Sequence, residues 1–98
     1  MAELLDKEDI EKRLIELNGN NKFLWEHNGD YLEKTFVFED FISAFGFMTK
    51  AAIIAQSMDH HPEWSNVYNK VTINLTTHSS GGITDLDFRL AEAMEKCV

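Results

Sequence analysis

The chain has 98 residues, a length that fits one domain, and we predict a single domain over residues 1–98. Hydrophobic residues make up 44% of it and charged residues 27%, a globular composition that excludes the disordered class. With 17 acidic and 9 basic residues, the net charge of −8 argues against a direct nucleic-acid partner. No stretch approaches the roughly 20 apolar residues of a membrane span, so we expect a soluble, intracellular protein with no membrane contact.

The first third of the chain predicts a helix followed by a hairpin. Apolar residues at helical spacing predict a helix over residues 6–18, with Asp6 as its N-cap. Alternating apolar and polar residues predict strands over residues 23–27 and 31–38. An Asn-Gly-Asp sequence between them is a strong turn signal, so the two strands are expected to pair.

Residues 39–58 predict the longest helix, with Asp40 as a candidate N-cap, and its apolar residues cover more than half of its circumference. One apolar line runs through Phe41 and Phe45, and a second runs through Ala44 and Phe47. One face can therefore pack on a sheet. The other face packs on a second subunit, or the whole surface forms one broad core contact, and the pattern leaves both open.

Pro62 cannot continue this helix, so the chain leaves it before that residue. Strands are predicted over residues 64–68 and 71–78, with a tight turn at residues 69–70. In the second of these strands, the face that ends in His78 is polar. His78 is therefore expected to point away from the core, off the end of the strand.

A last helix is predicted over residues 85–96. Thr84 and Asp87, three residues apart, form a capping box in which aspartate replaces the usual glutamate. The element order is then helix, two strands, helix, two strands, helix. Two hairpins with helices on one face make an α+β domain, and the open edges of its sheet favour an oligomer.

Three histidines and an aspartate can form a site between these elements. His60 and His61 follow the long helix, while His78 ends the predicted fourth strand. Asp87 joins them if the last helix begins beside that strand's end. Imidazole titrates near neutral pH, so such a set suits a reaction that donates one proton and removes another.

Two other interpretations of these residues stay open. Three histidines and a carboxylate can hold zinc, although the spacing of the common zinc motifs is absent. Each residue also has a purely structural explanation, such as a helix end for His60 or a helix-start carboxylate for Asp87. Cys97, the only cysteine, cannot form an internal disulfide, and we interpret it as a solvent-tolerant tail residue.

Several segments also carry a resemblance to a known family. They are residues 44–48 (Ala-Phe-Gly-Phe-Met), 60–64 (His-His-Pro-Glu-Trp), 66–71 (Asn-Val-Tyr-Asn-Lys-Val), 75–78 (Leu-Thr-Thr-His) and 82–84 (Gly-Ile-Thr) with Asp87. Together they resemble the pterin-4a-carbinolamine dehydratase family, from about Phe23 to the C-terminus.

This resemblance implies a fold, an activity and partners. The fold would be αββαββα, a four-stranded antiparallel sheet with three helices packed on one face. The activity would be dehydration of 4a-hydroxytetrahydrobiopterin to quinonoid dihydrobiopterin in tetrahydrobiopterin recycling, with no metal and no cofactor. Family members form homodimers by sheet extension and homotetramers through the long helices, and some bind the dimerisation helix of a homeodomain transcription factor.

The resemblance also implies roles for individual residues. His60, His61 and His78 would be catalytic, with His60 and His78 as the acid/base pair and His61 as the main pterin-binding histidine. Trp64 and Asp87 would shape the pocket. With Gln56 and Asp59, the substrate-binding set would comprise Gln56, Asp59, His61, Trp64 and Asp87.

The family usually has a charged residue, often glutamate, where this chain has Gln56. One helical turn separates Gln56 from His60, so Gln56 is expected to orient the His60 imidazole. A neutral amide cannot stabilise an imidazolium as a carboxylate would. A pterin-binding protein without catalysis therefore remains an alternative function, and the resemblance to the family leaves a transcription-factor cofactor as another. The enzyme is expected in the cytoplasm and, as a cofactor, also in the nucleus.

Overall fold

The computed structural model describes residues 2–98. Its elements in chain order are α1 (Lys7–Asn18), β1 (Glu26–Asn28), β2 (Tyr31–Val37), α2 (Phe41–Ser57), β3 (Glu63–Val67), β4 (Lys70–Leu75), a short 3-10 turn (His78–Ser80) and α3 (Asp85–Glu95). The four strands form one antiparallel sheet in the order β1-β2-β4-β3. The predicted αββαββα order and α+β class are confirmed.

The core lies between the sheet and the helices. Alternate residues of β2 and β4 are buried, as a sheet with one covered face requires. The fully buried side chains include Leu32, Val71, Ile73 and Leu75 from the strands and Phe47, Phe88, Leu90 and Met94 from the helices. The opposite, open face of the sheet presents polar residues to solvent. These residues can therefore contact a ligand without disturbing the core.

The predicted helix starts are confirmed by their hydrogen bonds. Asp6 accepts from the backbone N–H of Asp9 at 2.8 Å, and Asp40 accepts from the backbone N–H of Ser43 at 2.8 Å. The bond from Ser43 lowers the pKa of Asp40 because it stabilises the charged form. These caps use residues close in sequence, so the sequence alone can predict them.

The first strand is shorter than the predicted 23–27, because it begins at Glu26. The reason is the Asn18 side chain, which takes both backbone groups of Trp25. Its Oδ1 accepts from the Trp25 N–H at 2.8 Å, and its Nδ2 donates to the Trp25 carbonyl at 3.0 Å. The Trp25 backbone is therefore hydrogen-bonded to the end of α1 instead of to a neighbouring strand, and its buried indole packs in the core.

A buried ion pair ties α3 to β2. Lys34 lies on the buried face of β2, and its Nζ is 2.6 Å from Glu95 Oε2. The same oxygen accepts from the Trp25 indole N–H at 2.9 Å, and the Lys34 ammonium lies 4.4 Å from the centre of the Phe36 ring. A lysine can be buried here because its charge is paired.

The second hairpin also differs from its predicted bounds of 64–68 and 71–78. Its turn is at Tyr68 and Asn69, since Tyr68 adopts a φ of 49° and the Asn66 amide closes the turn on the Tyr68 and Lys70 carbonyls. The fourth strand ends at Leu75 rather than His78. Beyond it, the Thr77 N–H donates to the Gly82 carbonyl, which turns the chain back toward α3.

The interpretation of Cys97 as a solvent-tolerant tail residue is wrong. Cys97 is 7% exposed and belongs to the core cluster, because the turn that follows α3 holds it against the core. Its backbone N–H donates to the Met94 carbonyl at 3.0 Å. Across residues 2–98, no helix has the length and hydropathy needed to cross a membrane.

Candidate active site

The candidate site lies at one end of the second hairpin. Glu63, the first residue of β3, pairs with Asn74, near the last residue of β4. Because the strands are antiparallel, the segment before β3 and the segment after β4 leave the sheet at the same end. The fold therefore places His60 and His61 at the same end of the sheet as His78.

His60 follows α2 directly, and its backbone N–H donates to the Ala55 carbonyl at 3.0 Å. Its imidazole is buried, with a side chain 9% exposed, and its Nε2 lies 2.6 Å from Oδ1 of the fully buried Asp87. The expected grouping of His60 with Asp87 is therefore present in the structure. This bond joins the end of α2 to the first turn of α3.

The Asp87 carboxylate has two further donors. Its Oδ2 accepts from the Thr84 backbone N–H at 2.9 Å, which completes the predicted capping box. The same oxygen accepts from the Thr77 hydroxyl at 2.8 Å. Thr77 follows β4, so one carboxylate connects three separate segments of the chain.

The hydroxyl groups continue this network in a fixed direction. Because the Thr77 hydroxyl donates to Asp87, it must accept from the Thr84 hydroxyl, whose oxygen lies 2.8 Å away. The Thr84 oxygen in turn accepts from the Leu86 N–H at 3.2 Å. No buried side-chain nitrogen or oxygen in the described part of the chain lacks a hydrogen-bond partner.

These bonds determine which His60 nitrogen carries the proton. Asp87 Oδ2 already accepts from two donors, and a carboxylate group only accepts hydrogen bonds. The proton of a neutral His60 is therefore on Nε2, and Nδ1 has a lone pair. Nδ1 has no partner among residues 2–98, where every buried polar side-chain atom has one, so Nδ1 reaches the molecular surface.

His61 is exposed, and its partner differs from the prediction. Gln56 was expected to orient His60, but its Oε1 lies 2.8 Å from Nε2 of His61. The expectation is wrong because His60 turns inward to Asp87, which leaves His61 on the outer surface of α2 beside Gln56. Asp59 is exposed in the turn after α2, with a φ of 50°.

His78 opens the 3-10 turn after β4, and its side chain is 72% exposed. Its Nε2 lies 3.2 Å from Oε2 of Glu63, an ion-pair contact when the imidazole is charged. Tyr31 lies beside the same carboxylate. A hydrogen bond to Glu63 and the negative charge of that residue raise the pKa of the Tyr31 phenol.

The remaining predicted residues lie outside these contacts. Trp64 is half-buried and packs against the core from β3. His27 is exposed on the first hairpin, where its Nε2 lies 2.8 Å from the Gly29 carbonyl oxygen. Across residues 2–98, no three His, Cys, Asp or Glu side chains are grouped as metal ligands.

Sequence reasoning missed three polar residues of this region. Thr77 and Thr84 were treated as strand and cap residues, although both hydroxyls belong to the buried network. Glu63 stood inside the quoted motif without a role, although it contacts His78. The one sequence signal for Thr77 was its position next to His78, two residues after the end of β4, since its burial is visible only in the structure.

The arrangement combines two kinds of imidazole. His60 is buried, held by a carboxylate and presents one nitrogen at the surface, so it is oriented to accept a proton. The carboxylate stabilises the imidazolium that forms, as in a Ser-His-Asp triad. His61 and His78 are exposed and can exchange protons with solvent. Such a site can remove one proton and donate another near neutral pH.

Comparison with known proteins identifies related chains. Residues 3–97 match the protein family described as Pterin 4 alpha carbinolamine dehydratase. A Rhizobium johnstonii relative named for this dehydratase is 50% identical over 96% of this chain and 90% of its own. A relative with the same name from Prochlorococcus marinus is 47% identical over 100% and 98%.

A crystal structure from Brucella melitensis, described as a transcriptional coactivator/pterin dehydratase, has the same fold. It superposes with a TM-score of 0.85 at 39% sequence identity and covers 95% of this chain and 96% of its own.

Replacing the buried carboxylate should destabilise the fold. In Asp87→Asn, one carboxylate oxygen is replaced by an amide NH₂ group, which faces hydrogen-bond donors and cannot accept from them. The buried groups that are left unpaired cost roughly 1–3 kcal/mol or more. Urea unfolding followed by circular dichroism measures this loss. Asp85→Asn is the matched control, because Asp85 is an exposed carboxylate in the same helical turn. Equal midpoints for the two variants would contradict the network.

Proposed function

Because the chain belongs to the pterin-4a-carbinolamine dehydratase family, whose members are hydro-lyases, we propose that it dehydrates 4a-hydroxytetrahydrobiopterin to quinonoid dihydrobiopterin. This reaction would serve tetrahydrobiopterin recycling. The observation that carries the proposal is the buried His60–Asp87 pair, at the sheet end that also holds His61 and His78. It supplies an oriented proton acceptor beside exposed imidazoles.

The reaction breaks the bond between C4a and the hydroxyl group and removes the proton on N5. The N5–H electrons form the C4a–N5 double bond, and the hydroxyl leaves as water. We assign proton removal to His60, because its Nδ1 has a free lone pair and Asp87 stabilises the resulting imidazolium. His78, which exchanges protons with solvent, would protonate the departing hydroxyl.

His61 is proposed to bind the pterin ring. Its Nε2 is engaged by the Gln56 amide, which restricts the ring and leaves Nδ1 for the substrate. A neutral amide fits this positioning role, since binding needs a fixed ring rather than a stabilised charge. Trp64 and Asp59 would border the substrate from the strand and from the turn after α2.

The assignment predicts the kinetics of three histidine variants. Wild type should accelerate the dehydration measured by stopped flow. His60→Ala and His78→Ala should each lose much of that acceleration, because an acid/base group typically contributes roughly 10²–10⁴-fold. His27→Ala is the control, since His27 is an exposed histidine on the other hairpin, and its rate should equal that of wild type.

Two outcomes of this experiment would contradict the proposal. If wild type binds pterin without accelerating the reaction, the chain is a binding protein rather than an enzyme. If wild type is active and neither variant differs from His27→Ala, the catalytic groups are elsewhere in the molecule.

We further propose that the chain forms a homodimer or homotetramer. α2 carries an exposed apolar stripe that includes Ile42, at 80% exposure, Phe45 and Ile53. These residues recur at helical spacing on the side of α2 away from the sheet. An exposed apolar patch of this kind marks an interaction surface. β3 is an edge strand of the sheet, which provides a second surface for a copy of the chain.

A second candidate function uses the same stripe. The Brucella melitensis protein is described as a coactivator as well as a dehydratase. The α2 stripe would accept a partner's apolar helix, such as the dimerisation helix of a homeodomain transcription factor, in place of a second copy. Formation of mixed complexes with such a helix, at the expense of the self-assembled form, would support this role.

Assembly through α2 predicts a specific response to a charge. Ile42→Glu places a carboxylate in the proposed interface, so the sedimentation coefficient should fall toward that of a smaller species. Ile15→Glu is the control, because Ile15 is an equally exposed isoleucine on α1, at 76%. A wild-type monomer, or the same species for both variants, would contradict assembly through α2.

A further inference from the structure

His78 needs a partner to hold its ring. It lies in a three-residue turn and its side chain is 72% exposed, so packing does not select one rotamer. The contact that does restrict the ring is Glu63, whose Oε2 lies 3.2 Å from its Nε2. The position of a proton donor relative to the reacting atom strongly affects its rate, so this contact has consequences for catalysis.

Glu63 and Tyr31 lie on the same open face of the sheet. In β3, Glu63 alternates with the half-buried Trp64, and in β2, Tyr31 alternates with the buried Leu32. Glu63 pairs with Asn74 of β4, and β2 lies on the other side of that strand. Tyr31 and Glu63 therefore lie on the same face of the sheet, on either side of β4.

We propose that Glu63 and Tyr31 are positioning residues that hold the His78 imidazole in one orientation for proton transfer. This inference depends on the proposed function, in which His78 donates the proton. The carboxylate of Glu63 contacts the imidazole, and the phenol of Tyr31 holds the carboxylate. The raised pKa of the Tyr31 phenol, caused by the nearby Glu63 carboxylate, is consistent with this arrangement.

The chain offers a matched control for this proposal. Glu33 pairs with Asn74 from β2, just as Glu63 pairs with it from β3, so both carboxylates flank one residue on one face. Glu33 contacts the Asn28 amide instead of a histidine. Glu33→Gln therefore removes the same charge from the same face without touching His78.

Kinetics of the full-length variants test the proposal. Glu63→Gln and Tyr31→Phe should lower kcat roughly threefold to tenfold with little change in KM, since orientation rather than binding is lost. Exposed ion pairs contribute little to stability, so both variants stay folded. Glu33→Gln should keep the wild-type kcat. In a His78→Ala background, Glu63→Gln should have no further effect, and an undiminished effect there would overturn the proposal.

A second measurement does not depend on activity. Three-bond NMR couplings across the His78 side chain report its χ1 rotamers in the ligand-free protein. They should show one predominant rotamer in wild type and in Glu33→Gln, and a more even averaging in Glu63→Gln and Tyr31→Phe. Unchanged couplings in those two variants would overturn the proposal. If the two variants show rotamer averaging but the wild-type protein has no dehydratase activity, the contact is supported and the proposed function is refuted.

Discussion

The hydrogen bond between His60 and the buried Asp87 carboxylate is the interaction on which the rest of the site depends. A carboxylate with no exposed surface is stable only when its oxygens are satisfied. Its donors come from the end of α2, from the segment after β4 and from the cap of α3. The need to satisfy one buried carboxylate therefore brings three distant segments together, and the orientation of the His60 imidazole follows from these contacts.

This constraint divides the site into a rigid side and an exposed side. His60 belongs to the rigid side, where each hydroxyl and amide has a defined hydrogen-bond direction. His61 and His78 are on the exposed side, where single polar contacts from Gln56 and Glu63 hold them. A reaction with one proton removed and one donated can use this division, since only the acceptor needs a buried carboxylate.

Much of the fold could be predicted because its signals are local. The caps Asp6, Asp40 and Thr84 act on residues two or three positions away, so the sequence alone identifies them. The start of β1 could not be predicted, because it depends on Asn18 binding the Trp25 backbone. That contact exists only after the helix and the loop have come together.

The site follows the same rule. The motif around His60 and the capping box at Asp87 could be recognised, but their direct bond joins residues 27 positions apart. Gln56 was assigned to the wrong histidine because spacing along a helix cannot show which of two adjacent side chains turns inward. Cys97 was misplaced for a similar reason, since only the packing of the last turn shows that it is buried.

The most direct test of this account is the protonation state of the two His60 ring nitrogens. Nitrogen-15 chemical shifts distinguish a protonated from an unprotonated ring nitrogen in a neutral imidazole. The account predicts a proton on Nε2, directed at Asp87, and none on Nδ1. A neutral His60 with its proton on Nδ1 would contradict it, because Asp87 would then face a lone pair and Nδ1 could not accept a proton.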